Sequence, residues 1–406
     1  MGKKLNALMV SGLTIGPVLG SGIIFLPPLA YEKLGENSIL AWVIMMALGG
    51  LFAYVFTKMA VIAPNNAGIS AIVGKVLGDP FRELSANYLT LAVLFGPVVV
   101  ALTAGEFLEP LFLNGIHQIT LAAIVLVICA LMVLSGAAFM AKVMLVLSSL
   151  TACLLLAGSL AVLWGLPATN FPHTFPNIAN FGQVLLLIFW SIFGWEVLGN
   201  YVEEVADPSR TMMQAMKISL LGIVSVYLVT SYALQNSPAG GMAGLLFPLL
   251  GKYASVVFGV LSAALCICTI VAFTGAVARQ TSERLQVIRL PKSLQKKWTS
   301  VLLLLMGNLL VLGFVASGWF SFENVIEVAN MLFIGNAFLG LICGFRLMPN
   351  LTIRIGISVL LVIMTAVAAF LPLYAIIFFL LVTGISLLWS YRNSKRMSCV
   401  VHDSCN

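Results

Sequence analysis

Residues 11–24 read Ser11-Gly12-Leu13-Thr14-Ile15-Gly16-Pro17-Val18-Leu19-Gly20-Ser21-Gly22-Ile23-Ile24, inside a longer apolar run over 8–29. Pro17 removes a backbone donor, and its ring clashes with the preceding turn. Gly20 and Gly22, on either side of Ser21, lower the cost of non-helical backbone. A helix broken here frees carbonyls at the end of its first half and amides at the start of its second. Those amides carry the positive end of the helix dipole and suit a carboxylate. The competing reading is close packing through small residues of the Gly-x-x-x-Gly kind.

Composition decides which solvent such a helix meets. Of 406 residues, 61% are hydrophobic and 9% charged, against roughly 45–50% and about 25% in ordinary globular chains. Mean hydropathy is +1.08. Too few charges exist to cover a soluble surface, so lipid is the solvent for most of the chain. In hydrocarbon, only helices and closed barrels satisfy their own backbone. Barrel strands alternate apolar and polar residues over about ten positions, whereas here the apolar runs are continuous for about twenty, enough to cross roughly 30 Å.

The reading is an all-α integral membrane protein. Twelve transmembrane helices are expected at 8–29, 41–61, 83–108, 119–134, 141–163, 184–205, 216–234, 256–278, 301–316, 325–343, 355–371 and 373–389. Only Pro372 separates the last two, which calls for a tight turn. No length is left for a soluble domain, and residues 1–30 run into the first span without a signal-peptide cleavage pattern. With both termini cytoplasmic, 19 of the 21 Lys and Arg residues face inward and only Lys33 and Lys252 face outward. This is the positive-inside pattern, so the net charge of +7 is not a nucleic-acid footprint.

The sixth span reads Leu186-Leu187-Ile188-Phe189-Trp190-Ser191-Ile192-Phe193-Gly194-Trp195-Glu196-Val197-Leu198-Gly199-Asn200. Glu196 lies about halfway along an apolar helix, where a charge is costly and points to function. Gly194 again permits a break. Interrupted helices at positions one and six of twelve suggest five-plus-five inverted repeats with substrate at the midplane between the breaks. The single transmembrane domain over 1–406 then divides into a first repeat at 1–166 (helices 1–5), a second at 183–344 (helices 6–10), helices 11–12 at 354–391 and a cytoplasmic tail at 392–406. The acidic exit Glu203-Glu204-Val205-Ala206-Asp207-Pro208 is either a solvated helix end or a source of gate salt bridges, with Arg82 or Arg284 as partners.

Gly20-Ser21-Gly22-Ile23, the run 189–196 and the acidic exit 203–208 resemble the amino acid–polyamine–organocation (APC) transporter superfamily over nearly the whole chain. Within it the sequence is most similar to bacterial exporters of methionine and branched-chain amino acids. The resemblance implies a leucine-transporter-like fold with discontinuous first and sixth helices. It also implies that main chain from Val18 through Leu19, Gly20, Ser21 and Gly22 meets the substrate carboxylate, with the Ser21 hydroxyl adding a donor. Trp190 matches the aromatic gate of the arginine–agmatine antiporters. Phe193 and Gly194 would offer carbonyls to the α-amino group, Glu196 matches an acid tied to gating or proton coupling, and Phe273 would be a pocket aromatic. Many sodium-independent members carry a fifth-span lysine where sodium-coupled relatives hold the ion. Here Ser148, Ser149 and Thr151 stand there instead, and whether they serve a sodium site, a water or the helix backbone leaves H⁺ and Na⁺ open as coupling ions.

Apart from Glu196 the presumed midplane holds no charged side chain: Glu106, near the outer end of its span, reads as an interfacial, solvated carboxylate in preference to a second buried acid, and Phe193, Phe273 and residues 98–100 are apolar. The expectation is a neutral hydrophobic amino acid such as methionine, leucine, isoleucine or valine. It would be moved by a secondary active exporter or exchanger of a bacterial inner membrane, with membrane lipid as its surroundings and no cofactor, metal or nucleic acid involved. The alternatives are an uptake permease for other small neutral amino acids or amines, an intramembrane enzyme, and a passive channel. Against an enzyme, His117, His173 and His402 all fall in loops or the tail. Seven scattered cysteines suit neither a disulfide framework nor a zinc site. Residues 68–76 are one residue too long for a phosphate loop and lack Ser or Thr after Lys75.

Overall fold

A computed structural model describes residues 4–65, 67–112, 115–165, 172, 177–237, 241–287, 297–369 and 371–403. Among them the only strand-type pairing is an isolated parallel bridge between Leu5 and Val205. The helices are α1 (Ala7–Leu19), α2 (Gly22–Leu34), α3 (Ser38–Ile62), α4 (Ile69–Leu77), α5 (Asp79–Leu108), α6 (Gln118–Leu134), α7 (Ala137–Trp164) and α8 (Ile178–Ile188). After two 3₁₀ segments, Phe189–Ile192 and Trp195–Glu204, follow α9 (Pro208–Asn236), the one-turn α10 (Gly241–Gly244) and α11 (Phe247–Leu250), and α12 (Ala254–Val287). The chain ends with α13 (Lys297–Ala316), α14 (Phe322–Leu347), α15 (Leu351–Ala369) and α16 (Leu373–Asp403).

Nine stretches of the described residues are long and apolar enough to cross a membrane, the first of them, Ala7–Ile62, running through α1, α2 and α3. Gln118–Leu134 and Leu351–Ala366 are apolar but shorter. Large apolar side chains such as Leu221, Leu303, Val362 and Leu388 stand exposed around the bundle, as lipid permits and water does not. The chain is a multi-pass membrane protein.

The core is organised around two elements. The long α5 packs against α14, α12, α6 and α4, while α1 packs against α7, α9 and α12. Close approach is permitted by glycine: a β-carbon on Gly12 would lie 2.6 Å from Leu145 of α7, and one on Gly16 would lie 2.6 Å from Cβ of Cys268 in α12. Small-residue packing and helix breakage, the two readings of 11–24, therefore coexist in one segment. Its first half packs through Gly12 and Gly16, and it breaks after Leu19. Between α15 and α16, the Pro372 carbonyl accepts from the amides of Ala375 and Ile376, so the proline that ends one helix also starts the next.

Candidate functional site

The first break is short. Gly20 adopts φ +38° and ψ −143°, outside the helical region, while its amide still bonds the Gly16 carbonyl. Helix α2 restarts at Gly22, and Ser21 at its N-cap makes no side-chain capping bond. A helix start leaves its first N–H groups without intrahelical acceptors, so donors gather here. The freed carbonyls on the other side are partly satisfied: the buried Tyr227 hydroxyl of α9 lies 3.3 Å from the Val18 carbonyl and 3.4 Å from that of Leu19. Tyr227 is itself held by stacking on Trp42, ring centroids 4.7 Å apart.

The second break is longer. After the 3₁₀ turn Phe189–Ile192, Phe193 is extended and Gly194 sits at φ +121°. The chain then resumes as a ten-residue 3₁₀ helix, Trp195–Glu204. Runs of this kind beyond 3–4 residues are uncommon and often mark hinges. Glu196 thus stands near the start of that helix rather than midway along a continuous one. Its carboxylate turns back on the break, with Oε2 accepting from the Gly194 amide at 2.7 Å. The side chain is 2% exposed, and among the described residues Oε1 has no hydrogen-bond partner.

The two breaks touch. A β-carbon at Gly194 would lie 2.8 Å from Val18 Cγ2 and 3.3 Å from the Val18 amide nitrogen. Beside this contact lies a cavity of about 30 Å³ bounded by Pro17, Val18, Ser21 and Gly22 from the first break and Trp190 and Phe193 from the second. Gly96, Pro97 and Val100 of α5, Thr269, Ile270 and Phe273 of α12, and Phe333 of α14 complete it. Its aromatic rings are mutually packed: Phe273–Phe333 centroids are 5.0 Å apart, Trp190–Phe193 5.9 Å and Trp190–Phe333 6.2 Å. A cavity of this size admits water but not an amino acid, so the rings hold it contracted in this conformation. Among the described residues no charged side chain lines it.

Of the residues singled out from sequence, Val18, Ser21, Gly22, Trp190, Phe193 and Phe273 come together around this cavity. Leu19, Gly20 and Gly194 do not line it. Leu19 is fully buried, Gly20 packs toward Thr269 Oγ1, and Gly194 packs on Val18. Ser148 and Thr151 donate to the Met144 and Leu147 carbonyls of their own helix, and Ser149 is half-buried. Ser148 nonetheless faces α1, its Cβ lying 3.7 Å from a β-carbon position on Gly16. Phe333 and Tyr227 were not anticipated. A buried tyrosine needs a partner for its hydroxyl, which is the signal Tyr227 offered; Phe333 sits in a featureless apolar run and offered none.

At the other end of the broken sixth segment the acidic exit does form an ion pair, in which the partner of Glu204 is Arg279. Glu204 Oε1 lies 3.5 Å from the guanidinium of Arg279 on α12. The Arg284 side chain lies outside the described residues. Arg279, 7% exposed, also donates to the Gly275 carbonyl at 2.8 Å and covers the Tyr201 ring at 4.3 Å. The Tyr201 hydroxyl donates to the Ala272 carbonyl, and the Leu5 amide donates to the Glu204 carbonyl at 2.8 Å. One cluster therefore ties the start of the chain, the second half of the sixth segment and α12. Asp207 instead caps α9 through the Arg210 amide.

The chain is 26% identical over 257 residues to the uncharacterized amino acid permease YecA of Bacillus subtilis, covering 60% of this chain and 58% of that one. It is also 26% identical over 265 residues to the L-methionine/branched-chain amino acid exporter YjeH of Escherichia coli, covering 64% and 62%. The matches thus span about three fifths of the length of these two relatives. A longer match, 25% identical over 401 residues, links 88% of the chain to 73% of the large neutral amino acids transporter small subunit 2 of Rattus norvegicus. The model of the amino acid permease family covers residues 5–396, and with it the two broken segments that meet at Val18 and Gly194, so this chain belongs to that family of transporters.

Proposed function

We propose that this protein is a secondary active transporter of neutral hydrophobic amino acids: methionine, leucine, isoleucine and valine. It works by alternating access as an exporter or exchanger of a bacterial cytoplasmic membrane. The observation that carries the reading is the meeting of two unwound segments beside a cavity that has aromatic and aliphatic walls and no charge. A zwitterion needs an anion site and a cation site. The amides at the start of α2 and the Ser21 hydroxyl serve the carboxylate, and carbonyls of the extended Phe193 stretch serve the ammonium group. The uncharged walls then select the side chain, because a buried charge without a partner is costly. The name of the methionine and branched-chain exporter among the relatives agrees with that choice.

Twelve crossings follow if Ala7–Ile62 is divided at the 3₁₀ turn Gly35–Asn37 and the two shorter apolar helices each cross. Both termini are then cytoplasmic, in line with the Lys and Arg distribution, and spans one to five and six to ten form two inverted repeats. On this topology the Arg279–Glu204–Tyr201 cluster seals the cytoplasmic side. Rocking of the first and sixth spans against their neighbours opens that seal, with Trp190 closing the opposite side. Glu196, buried against the Gly194 amide, couples the movement to a proton: its charged form holds that amide, and its neutral form releases it. The test is uptake of labelled methionine and leucine into proteoliposomes with proton and sodium gradients imposed separately. Saturable flux of both, driven by the proton gradient and indifferent to sodium, is expected. Flux of arginine or glutamate with none of the four named amino acids would overturn the reading.

A further inference from the structure

A second cavity adjoins the first and is about ten times larger, about 300 Å³ against about 30 Å³. The two share Ser21, Gly96, Val100 and Trp190, so they adjoin at these residues. Binding pockets for small molecules begin at roughly 300 Å³. In this conformation, therefore, a ligand of amino-acid size has room only in the larger cavity.

The walls of that cavity say which end of a ligand it favours. Among the described residues its single charged lining residue is Glu106, near the end of α5, and Phe25, Phe107 and Phe322 share the lining with it. Glu106 is exposed, and among the described residues its carboxylate has no hydrogen bond and no ion pair. Among the described residues no lysine or arginine lines the space. The acids nearest in the chain to the lining, Glu109 one turn on and Glu323 beside Phe322, have the same sign. Thr103, the other polar side chain toward that end, already donates its hydroxyl to the Val99 carbonyl. A free carboxylate among phenylalanine rings attracts a cation both by charge and through the ring faces. A carboxylate entering the Glu106 end of this space meets only repulsion there; the Ser21 hydroxyl lies away from that end, on the wall shared with the inner cavity.

We propose that this outer cavity is a second binding site, for a primary ammonium group carried on an apolar tail, with Glu106 as its counter-ion. The ammonium group can belong to an amino acid on its way to or from the inner cavity, or to an amine. Because Glu106 repels a carboxylate and no lysine or arginine among the described lining residues offsets that, the amine binds more tightly than the amino acid with the same side chain. The role of the site as a staging post rests on the transport reading above; the binding itself does not.

The test is calorimetric titration of the purified full-length protein with 3-(methylthio)propylamine, which is methionine without its carboxylate, and with methionine itself. Wild type should bind the amine. Glu106→Gln should weaken that binding at least tenfold, and Glu106→Asp should retain most of it, with unchanged gel-filtration profiles showing that both variants fold. Amine affinity equal in wild type and Glu106→Gln, or no amine binding by wild type, overturns the proposal, as does methionine binding more tightly than the amine in a Glu106-dependent way. Labelled-methionine flux on the same preparations reads the transport proposal separately. Glu106-dependent amine binding without flux removes transport and keeps the site; flux with Glu106-independent amine binding does the reverse.

Discussion

Replacing Gly194 with alanine tests whether the two breaks are built against each other. At φ +121° a residue with a β-carbon is strained by roughly 1–3 kcal/mol. The added carbon also lies 2.8 Å from Val18 Cγ2 and 3.3 Å from the Val18 amide nitrogen. Valine is stiff at χ1 and cannot swing clear, so overpacking adds about 1–3 kcal/mol. The total, about 2–6 kcal/mol, is large against a net stability of roughly 5–15 kcal/mol. Gly182→Ala is the control, because nothing lies within 4 Å of its β-carbon position and alanine favours the α8 helix by up to about 1 kcal/mol. The double variant Gly194→Ala with Val18→Ala removes Cγ2 and should recover about 1–2 kcal/mol of the overpacking while the backbone strain remains. Thermal unfolding in detergent and methionine flux are the readouts. Gly194→Ala should melt well below wild type and lose at least about tenfold in flux, the equivalent of about 1.4 kcal/mol; Gly182→Ala should melt at or slightly above wild type with wild-type flux, and the double variant should fall between wild type and Gly194→Ala. If Gly194→Ala behaves like Gly182→Ala, or if Val18→Ala leaves its defect untouched, the contact between the breaks is not what constrains this glycine.

Four further substitutions probe other parts of the site. Trp190→Ala, which merges the contracted cavity with the larger one, should speed methionine dissociation and weaken retention; unchanged affinity and flux would count against its gate role. Glu196→Gln fixes that side chain in its neutral form, so flux should lose its dependence on pH and resemble wild type under acidic conditions, whereas a wild-type profile would remove Glu196 from coupling. Tyr227→Phe leaves the Val18 and Leu19 carbonyls without their donor, at a cost of about 1–3 kcal/mol that should appear as a lowered melting temperature. Arg279→Gln removes a cation held over the Tyr201 ring, worth about 1–2 kcal/mol when desolvated. It should favour opening at that end and raise the apparent KM measured from the opposite side, and an unaltered KM would refute its role as a seal.

The parts of this architecture that were legible in the sequence are those with a local backbone signature. Pro17, Gly20 and Gly22 mark the first break, and Gly194 marks the second, because proline and glycine act on the chain where they stand. Glu196 was conspicuous because an acid in an apolar run has no bland surface role. What stayed hidden depends on partners distant in the chain. The pairing of Glu204 with Arg279 spans 75 positions, and the Tyr227 bond to Val18 spans 209; nothing in either neighbourhood names the other. Phe333 belongs to the cavity only because α14 packs on α5. The 3₁₀ form of Trp195–Glu204 was equally unreadable, since its residues suit an α-helix as well. Glu106 was read as an interfacial, solvated acid, and it is exposed; what the sequence lacked was the cavity it faces.

The most direct measurement is a density map of the protein with methionine bound. The carboxylate should lie against the amides at the start of α2 and the Ser21 hydroxyl, the ammonium group against the Phe193 carbonyl, and the thioether among Phe273, Phe333 and Val100, with the inner cavity expanded to fit. Methionine elsewhere, or a first and sixth span running as unbroken helices past Gly20 and Gly194, would contradict the account at its root.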